Sequence, residues 1–391
     1  MAPSARLRSM ITVACLGMAS FGIVLTALGA SLPAVMSRFD IDKAQAGSLL
    51  SLLSFGVLAG SLVFGPVVDR RGHRTLLIFA FAAIIIGLEA TAFAPSVGLL
   101  RLSVLVIGFS GGLVNGAVNG LTADVGAEQC AATLTFVGGF FGVGAAGVPL
   151  VMATLSDAAS PAVILAAIAP VVAIPLVMSA LVSFPPSKQP HGFPLADARR
   201  LLRDPALLLM GLILFLESGV ETTVGGWITT FFAEALHVRA ERAPLFLSLF
   251  WLGLMVTRLT LGVLLRHAAA MRVLYLSIAG SVASALVLIP SRSVVLGAVT
   301  VFALGCGLAA MFPVMFGFVG DRYAHLSGTA LSLVMSMALI GGMLLPYIAG
   351  VIGGAFGMRV SLIVVPVALL VQLALLPMLA RTRTAPGRAV D

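Results

Sequence analysis

The sequence predicts an all-α membrane protein of twelve transmembrane helices arranged as two six-helix pseudo-repeats. Three observations carry that expectation. Of 391 residues, 60% are hydrophobic and only 10% charged, with a mean hydropathy of +1.14, whereas a soluble domain carries about a quarter charged residues. Apolar runs long enough to cross a bilayer recur along the whole chain, without the polar–apolar alternation of β-barrel strands. The two halves also align on each other at one ungapped offset of 197 residues.

The first run, 10–36, is too long for a signal-peptide core and has no small-residue cleavage site before the next span, so it reads as the first helix. Charges, prolines and glycines then cut the chain into spans at 46–68, 75–93, 98–123, 130–154 and 161–183. The longest linker follows, FPPSKQPHGFPLADARRLLRDP at 184–205, rich in proline and basic residues. Beyond it lie spans at 206–234, 244–265, 273–290, 294–320, 327–354 and 359–380. Residues 1–183 are thus expected to form an N-terminal six-helix bundle, 184–205 a cytoplasmic linker, and 206–391 a C-terminal six-helix bundle.

An even number of spans places both termini on one side. That side collects fifteen of the 23 Lys and Arg residues and the opposite side seven, while Arg258 alone falls inside a span. The positive-inside rule then makes both termini cytoplasmic, in a plasma (inner) membrane. The net charge of +8 therefore reflects topology signals in short loops and tails, and no nucleic-acid partner is expected. Cys15, Cys130 and Cys306 fall in or beside different spans, so neither a disulfide nor a metal site is expected.

At the 197-residue offset, SLLSFGVLAGSLVFG (51–65) lies over SLFWLGLMVTRLTLG (248–262). The same offset pairs Gly22 with Gly219, Gly29 with Gly226, Gly108 with Gly305 and Pro149 with Pro346. Parallel repeats of this kind place a substrate site near the midplane between the halves.

Between the second and third spans stands GPVVDRRGHRTLL, Gly65 to Leu77. Its spacing and loop position resemble the loop signature of the major facilitator superfamily, and the resemblance extends over essentially the whole chain. It implies the major facilitator fold and a monomeric carrier of a small-molecule substrate in the lipid bilayer. It also implies that Asp69, Arg70 and Arg74, with Gly65 and Gly72, latch the cytoplasmic gate against the other half. Elementary electrostatics agrees in part: Asp69 ends its own helix, where the dipole disfavours an anion, and so needs an external partner. The alternative is that Arg70, Arg71 and Arg74 serve only as topology anchors. The second-half copy has Arg266 where Asp69 would stand.

GLVNGAVNG in the fourth span, LESGVETTVGGW in the seventh and SGTALSLVMSMALIGGMLLPYIAG at 327–350 resemble the fucose/glucose/galactose:proton symporter branch. That branch carries an acid where this chain has Asn115, four residues before Asn119. The departure moves the search for a proton site to the seventh helix.

There, FLESGVETTVGGW puts Glu217 and Glu221 one turn apart on one face, about 16–23 Å along a helix that crosses a ~30 Å core. An acid at that depth costs at least about 2.5 kcal/mol, so both are expected to face protein or a water-filled cavity. Neighbouring carboxylates in a poorly hydrated site cannot easily both ionise, so the pair is suited to hold and release a proton, with Glu221 as coupling site and Glu217 as its partner. A carboxyl that merely joins helices through hydrogen bonds, or a pair that attracts a cation, is the competing reading.

Asn115 and Asn119 share a face of the fourth span, and their amides suit a hydroxyl-rich substrate or interhelical hydrogen bonds equally. Trp227 is a candidate for stacking on a sugar ring, with a packing or interfacial role preferred. Arg258 belongs with the gate by resemblance; snorkelling to the interface is the plain reading, and pairing with Glu217 is an option.

The function these residues imply is a proton-coupled symporter of a small polar, sugar-like solute working by alternating access. A proton-driven exporter of drugs or cations is the runner-up, and sodium stays open as the coupling ion. No cofactor is expected beyond the ion gradient. No nucleotide loop, metal-ligand cluster or nucleophile–base arrangement occurs in the sequence, so an enzyme is not expected.

Overall fold

A computed structural model describes residues 3–126, 130–185 and 199–384, and among them every regular element is a helix. The order is α1 (Pro3–Phe39), α2 (Lys43–Phe93), α3 (Val97–Gly126), α4 (Cys130–Thr154) and α5 (Pro161–Leu181) in the first half. The second half holds α6 (Pro205–Ala235), α7 (Pro244–His267), α8 (Ala270–Leu288), α9 (Val294–Leu308), α10 (Met311–Arg322), α11 (Ser327–Phe356), α12 (Met358–Ser361) and α13 (Val364–Thr384). Eleven stretches of the described residues are long and apolar enough to cross a membrane. Their outward faces carry large apolar side chains, among them Ile86, Leu181, Val295 and Phe356, each more than 60% exposed and suited to lipid. The chain is an integral, multi-pass membrane protein. Most of the 184–205 linker lies outside the described residues.

Helix starts follow local chemistry. Asp42 accepts from the Gln45 N–H at 2.7 Å to cap α2. Asp204 caps α6 through the Ala206 N–H, with Pro205 at the first helical position, where a missing N–H costs nothing.

Three spans differ from their predicted form. The runs predicted at 46–68 and 75–93 join into one 51-residue element, about 77 Å if straight and more than twice the thickness of a hydrocarbon core. It breaks only at Gly72 (φ 74°, ψ 166°), a conformation that a side chain would strain. Asp69, Arg70 and Arg71 are therefore helical rather than in a loop. The predicted span 294–320 is interrupted at Ala309 and Ala310, and 359–380 is split after Ser361. In both cases a proline, Pro313 or Pro366, sits in the first turn of the next segment and can donate no N–H to the residue four before it.

Glycines let the backbones touch. A Cβ at Gly56 would run into Leu105 O and Phe109 N, and one at Gly253 into Phe302 O and Cys306 N. Gly108 abuts Leu53 O, and Gly305 abuts Phe250 O. In each pair of contacts every participant is displaced by 197 residues. Small residues are what permit such approach in a bilayer, where lipid offers apolar surface as good as the protein's own.

The two halves meet on the side away from the termini. Gly29 lies against Gly225 O, and Trp227 Nε1 donates to Pro346 O at 2.8 Å within the second half beside that seam. Ser54 Oγ donates to Gly342 O at 3.0 Å. Ser51 donates to Met343 O and Ser248 to Ala146 O, two bonds again related by 197 residues. Lys43 pairs with Glu234 at 3.0 Å, and Arg242 pairs with Asp157. Deeper along the same helices the halves still touch, for a Cβ at Gly142 would meet the Met255 side chain and one at Gly139 would meet Leu259. The polar contacts between the halves named here all lie on the face away from the termini, the closed face of the molecule.

Candidate functional site

The site forms where α6 passes through the middle of the molecule. Its sequence has no proline beyond Pro205 at its start, so Glu217 and Glu221 are carried about 18 and 24 Å along a continuous helix. Both are buried, Glu217 completely. The partners come from two other helices. Gln372 of α13 donates from Nε2 to Glu217 Oε2 at 2.9 Å and to Ile213 O at 3.2 Å. Arg258 of α7 brings a guanidinium nitrogen to 3.8 Å from Glu221 Oε2.

The two acids therefore live in different settings although one turn apart. Glu217 has one neutral donor, and its Oε1 is buried without a hydrogen-bond partner. Glu221 faces a full positive charge at a distance too long for a hydrogen bond, and Glu221 Oε2 and Arg258 Nε are both buried without hydrogen-bond partners. Desolvated groups left short of partners cost free energy unless charge or a ligand completes them. Such a loose, incomplete pair is chemically able to open for a proton or a solute.

The remaining predicted residues sort clearly. Arg258 is neither snorkelling nor paired with Glu217; it reaches Glu221, because position 258 on α7 and position 221 on α6 come level at mid-depth. Trp227 is fully buried and its N–H is consumed by Pro346 O, so it packs helices rather than offering a face to a solute in this state. Asn119 is exposed and its Nδ2 donates to Asn115 Oδ1 at 3.0 Å and to Asn115 O at 2.9 Å, so that donor is engaged within α3. The two amides lie nearer the terminus-bearing end than the acids do.

The residues of the Gly65–Leu77 motif lie towards the terminus-bearing face. Asp69 is half-buried and Arg70 exposed, and among the described residues no ion pair or hydrogen bond of Asp69 crosses to the second half. Arg74 donates to Ala180 O at the end of α5, within its own half.

Two participants escaped sequence reasoning. Gln372 stands out only as the one amide in an otherwise apolar last span, a signal available but easily passed over. Trp251 looks like any membrane aromatic in sequence. In the structure it is 3% exposed, one helical layer from Arg258, with its indole N–H unpartnered among the described residues.

A family model described as Major Facilitator Superfamily matches residues 14–328. The chain is 31% identical over 142 residues to a "putative glucose/galactose transporter" of Helicobacter pylori, covering 36% of this chain and 34% of that protein. It is 31% identical over 172 residues to "Bypass of stop codon protein 6" of Saccharomyces cerevisiae, covering 41% of this chain and 34% of that one. The matched region thus spans about a third of the length of these curated relatives. Among solved structures, the nucleoside transporter NupG superposes with a TM-score of 0.76 at 15% identity, over 97% of this chain and all of the other, a likeness of fold alone.

Proposed function

The chain belongs to the Major Facilitator Superfamily, and from that premise we propose that it is a secondary active transporter moving a small polar, sugar-like solute by proton-coupled symport. One observation carries the reading: a loosely held Glu221–Arg258 pair, beside a fully buried Glu217, at mid-depth in the second half. Its sugar-like character is supported by the named glucose/galactose relative.

In this reading α2 counts as two spans, giving twelve, and the chain divides into bundles at 1–183 and 206–391 joined by 184–205. The contacts related by 197 residues support the two-repeat layout. One bundle rocks on the other, with both termini cytoplasmic in the plasma membrane. Protonation of Glu221 removes the charge that holds Arg258 and frees the guanidinium for the solute; deprotonation on the cytoplasmic side restores the pair. Glu217, with Gln372 as its donor, stays neutral and tunes its neighbour. Asp69 and Arg70 engage the second half only when the terminus-bearing face closes, with Gly72 as the bend that permits it.

A drug or cation exporter fits less well, because Arg258 offsets the charge of Glu221 and leaves no net anionic trap. The test is uptake into liposomes holding an internal pH dye, with sugars, polyols, organic acids and cationic drugs as solutes, in sodium and in sodium-free buffer. Solute-dependent acidification of the lumen that disappears in Glu221→Gln is the expected result. Uptake and proton movement unchanged in that variant would remove Glu221 from the mechanism, and a sodium requirement would replace the proton.

A further inference from the structure

Buried donors without acceptors are rare in folded proteins, and each calls for an explanation. The indole N–H of Trp251 is one: the residue is 3% exposed, and Nε1 has no partner among the described residues. Its ring packs edge-on against Phe141 (centroids 5.5 Å apart) and Phe250 (5.1 Å), contacts that leave the N–H without an acceptor.

The position explains what the packing does not. Trp251 and Arg258 lie seven residues apart on one face of α7, about 10 Å along the axis. Facing them on α6 are Gly225 and Glu221, four residues apart; a Cβ at Gly225 would stand 3.4 Å from the Trp251 ring. Three buried polar atoms without hydrogen-bond partners, Glu221 Oε2, Arg258 Nε and Trp251 Nε1, therefore border the same α6–α7 seam. The ring is covered from the first half by Phe141 of α4, which in turn packs on Phe21 of α1 at 5.6 Å. Phe141–Trp251 joins the two halves, α4 to α7, near mid-depth.

Resting on the transporter reading above, we propose that Trp251 is a substrate-binding residue whose indole N–H donates to an oxygen of a neutral polyhydroxylated ring. Opening of the closed face withdraws Phe141 and bares both the donor and an aromatic surface against which the apolar face of the ring rests. Closure without solute returns the N–H to its unpaired burial, which favours closing with the site filled. Shape and donor set the class: a flat aromatic face beside a single N–H donor suits the C–H face and hydroxyls of a neutral ring, and an anion drawn to the freed Arg258 guanidinium is the competing occupant that the test separates. Trp227, its N–H already bonded to Pro346 O, has no such part.

The test uses the full chain in liposomes, with D-galactose, D-xylose and uridine as neutral probes and lactate as the anionic one. Trp251→Phe keeps the ring and removes the donor. For the transported probe its KM should rise about three- to tenfold, the worth of one hydrogen bond. One deoxy analogue of that probe should lose the same factor in the wild type and nothing further in Trp251→Phe. Since the chain has two tryptophans, a probe-dependent change in emission should persist in Trp227→Phe and vanish in Trp251→Phe, a readout that needs no turnover. Equal KM in wild type and Trp251→Phe, equal loss of every analogue in both proteins, or a silent Trp227→Phe overturns the proposal while the transporter reading stands. Uptake of lactate alone overturns the assigned class. Failure of the wild type to move any probe overturns the underlying reading, and this inference with it.

Discussion

Gly29→Ala should trap the carrier away from the form described here. A Cβ at position 29 would strike the carbonyl of Gly225 and crowd Gly226, backbone atoms that no rotamer change can move aside. The only relief is separation of α1 from α6, which unseats the neighbouring Ser51 and Ser54 bonds. Overpacking of this kind costs about 1–3 kcal/mol, which lowers the population of the closed-face form about 5- to 150-fold. Spin labels on Asp40 and Arg292, both exposed on the closed face but in different halves, would report it by electron–electron dipolar distances after replacement of the native cysteines. The expected result is a longer mean distance and slowed solute exchange. A distance distribution identical to that of the unsubstituted protein would refute the claim that the Gly29–Gly225 approach holds the closed face together.

Other substitutions probe separate parts of the argument. Arg258→Met should destabilise the protein markedly by leaving Glu221 buried and unpaired, a loss of about 3–5 kcal/mol, and Glu221→Gln in the same chain should recover most of it; thermal unfolding in detergent of the four proteins would show no recovery if the two residues act independently. Gln372→Leu should cost about 1 kcal/mol, the scale of an interhelical bond in a membrane, and the same thermal assay checks it. Asp157→Asn should shift the face equilibrium by less than about 1 kcal/mol and lose that effect at high salt, because the pair with Arg242 is solvent-exposed; a large, salt-independent effect would mean the pair is shielded. Asp69→Asn should slow turnover while leaving the present form unchanged, and altered label distances on the closed face would contradict a latch that engages only on closure.

Much of this protein was legible without coordinates. Hydropathy placed the spans because a bilayer tolerates only long apolar helices. The carboxylates of Glu217 and Glu221 announced themselves because charge in an apolar run is costly, so its presence marks a site. The 197-residue offset was visible because both halves need glycine at the same close approaches, as Gly56 and Gly253 illustrate. What the sequence could not decide was which residues meet across the seam. Position along a helix sets depth and face, but the rotation and tilt of α7 and α13 against α6 arise from packing. Packing alone assigned Arg258 to Glu221, Gln372 to Glu217, the bonded role to Trp227 and the unfilled donor to Trp251. It also decided which face is closed, since the approach of Gly29 to the Gly225 carbonyl depends on how α1 and α6 cross.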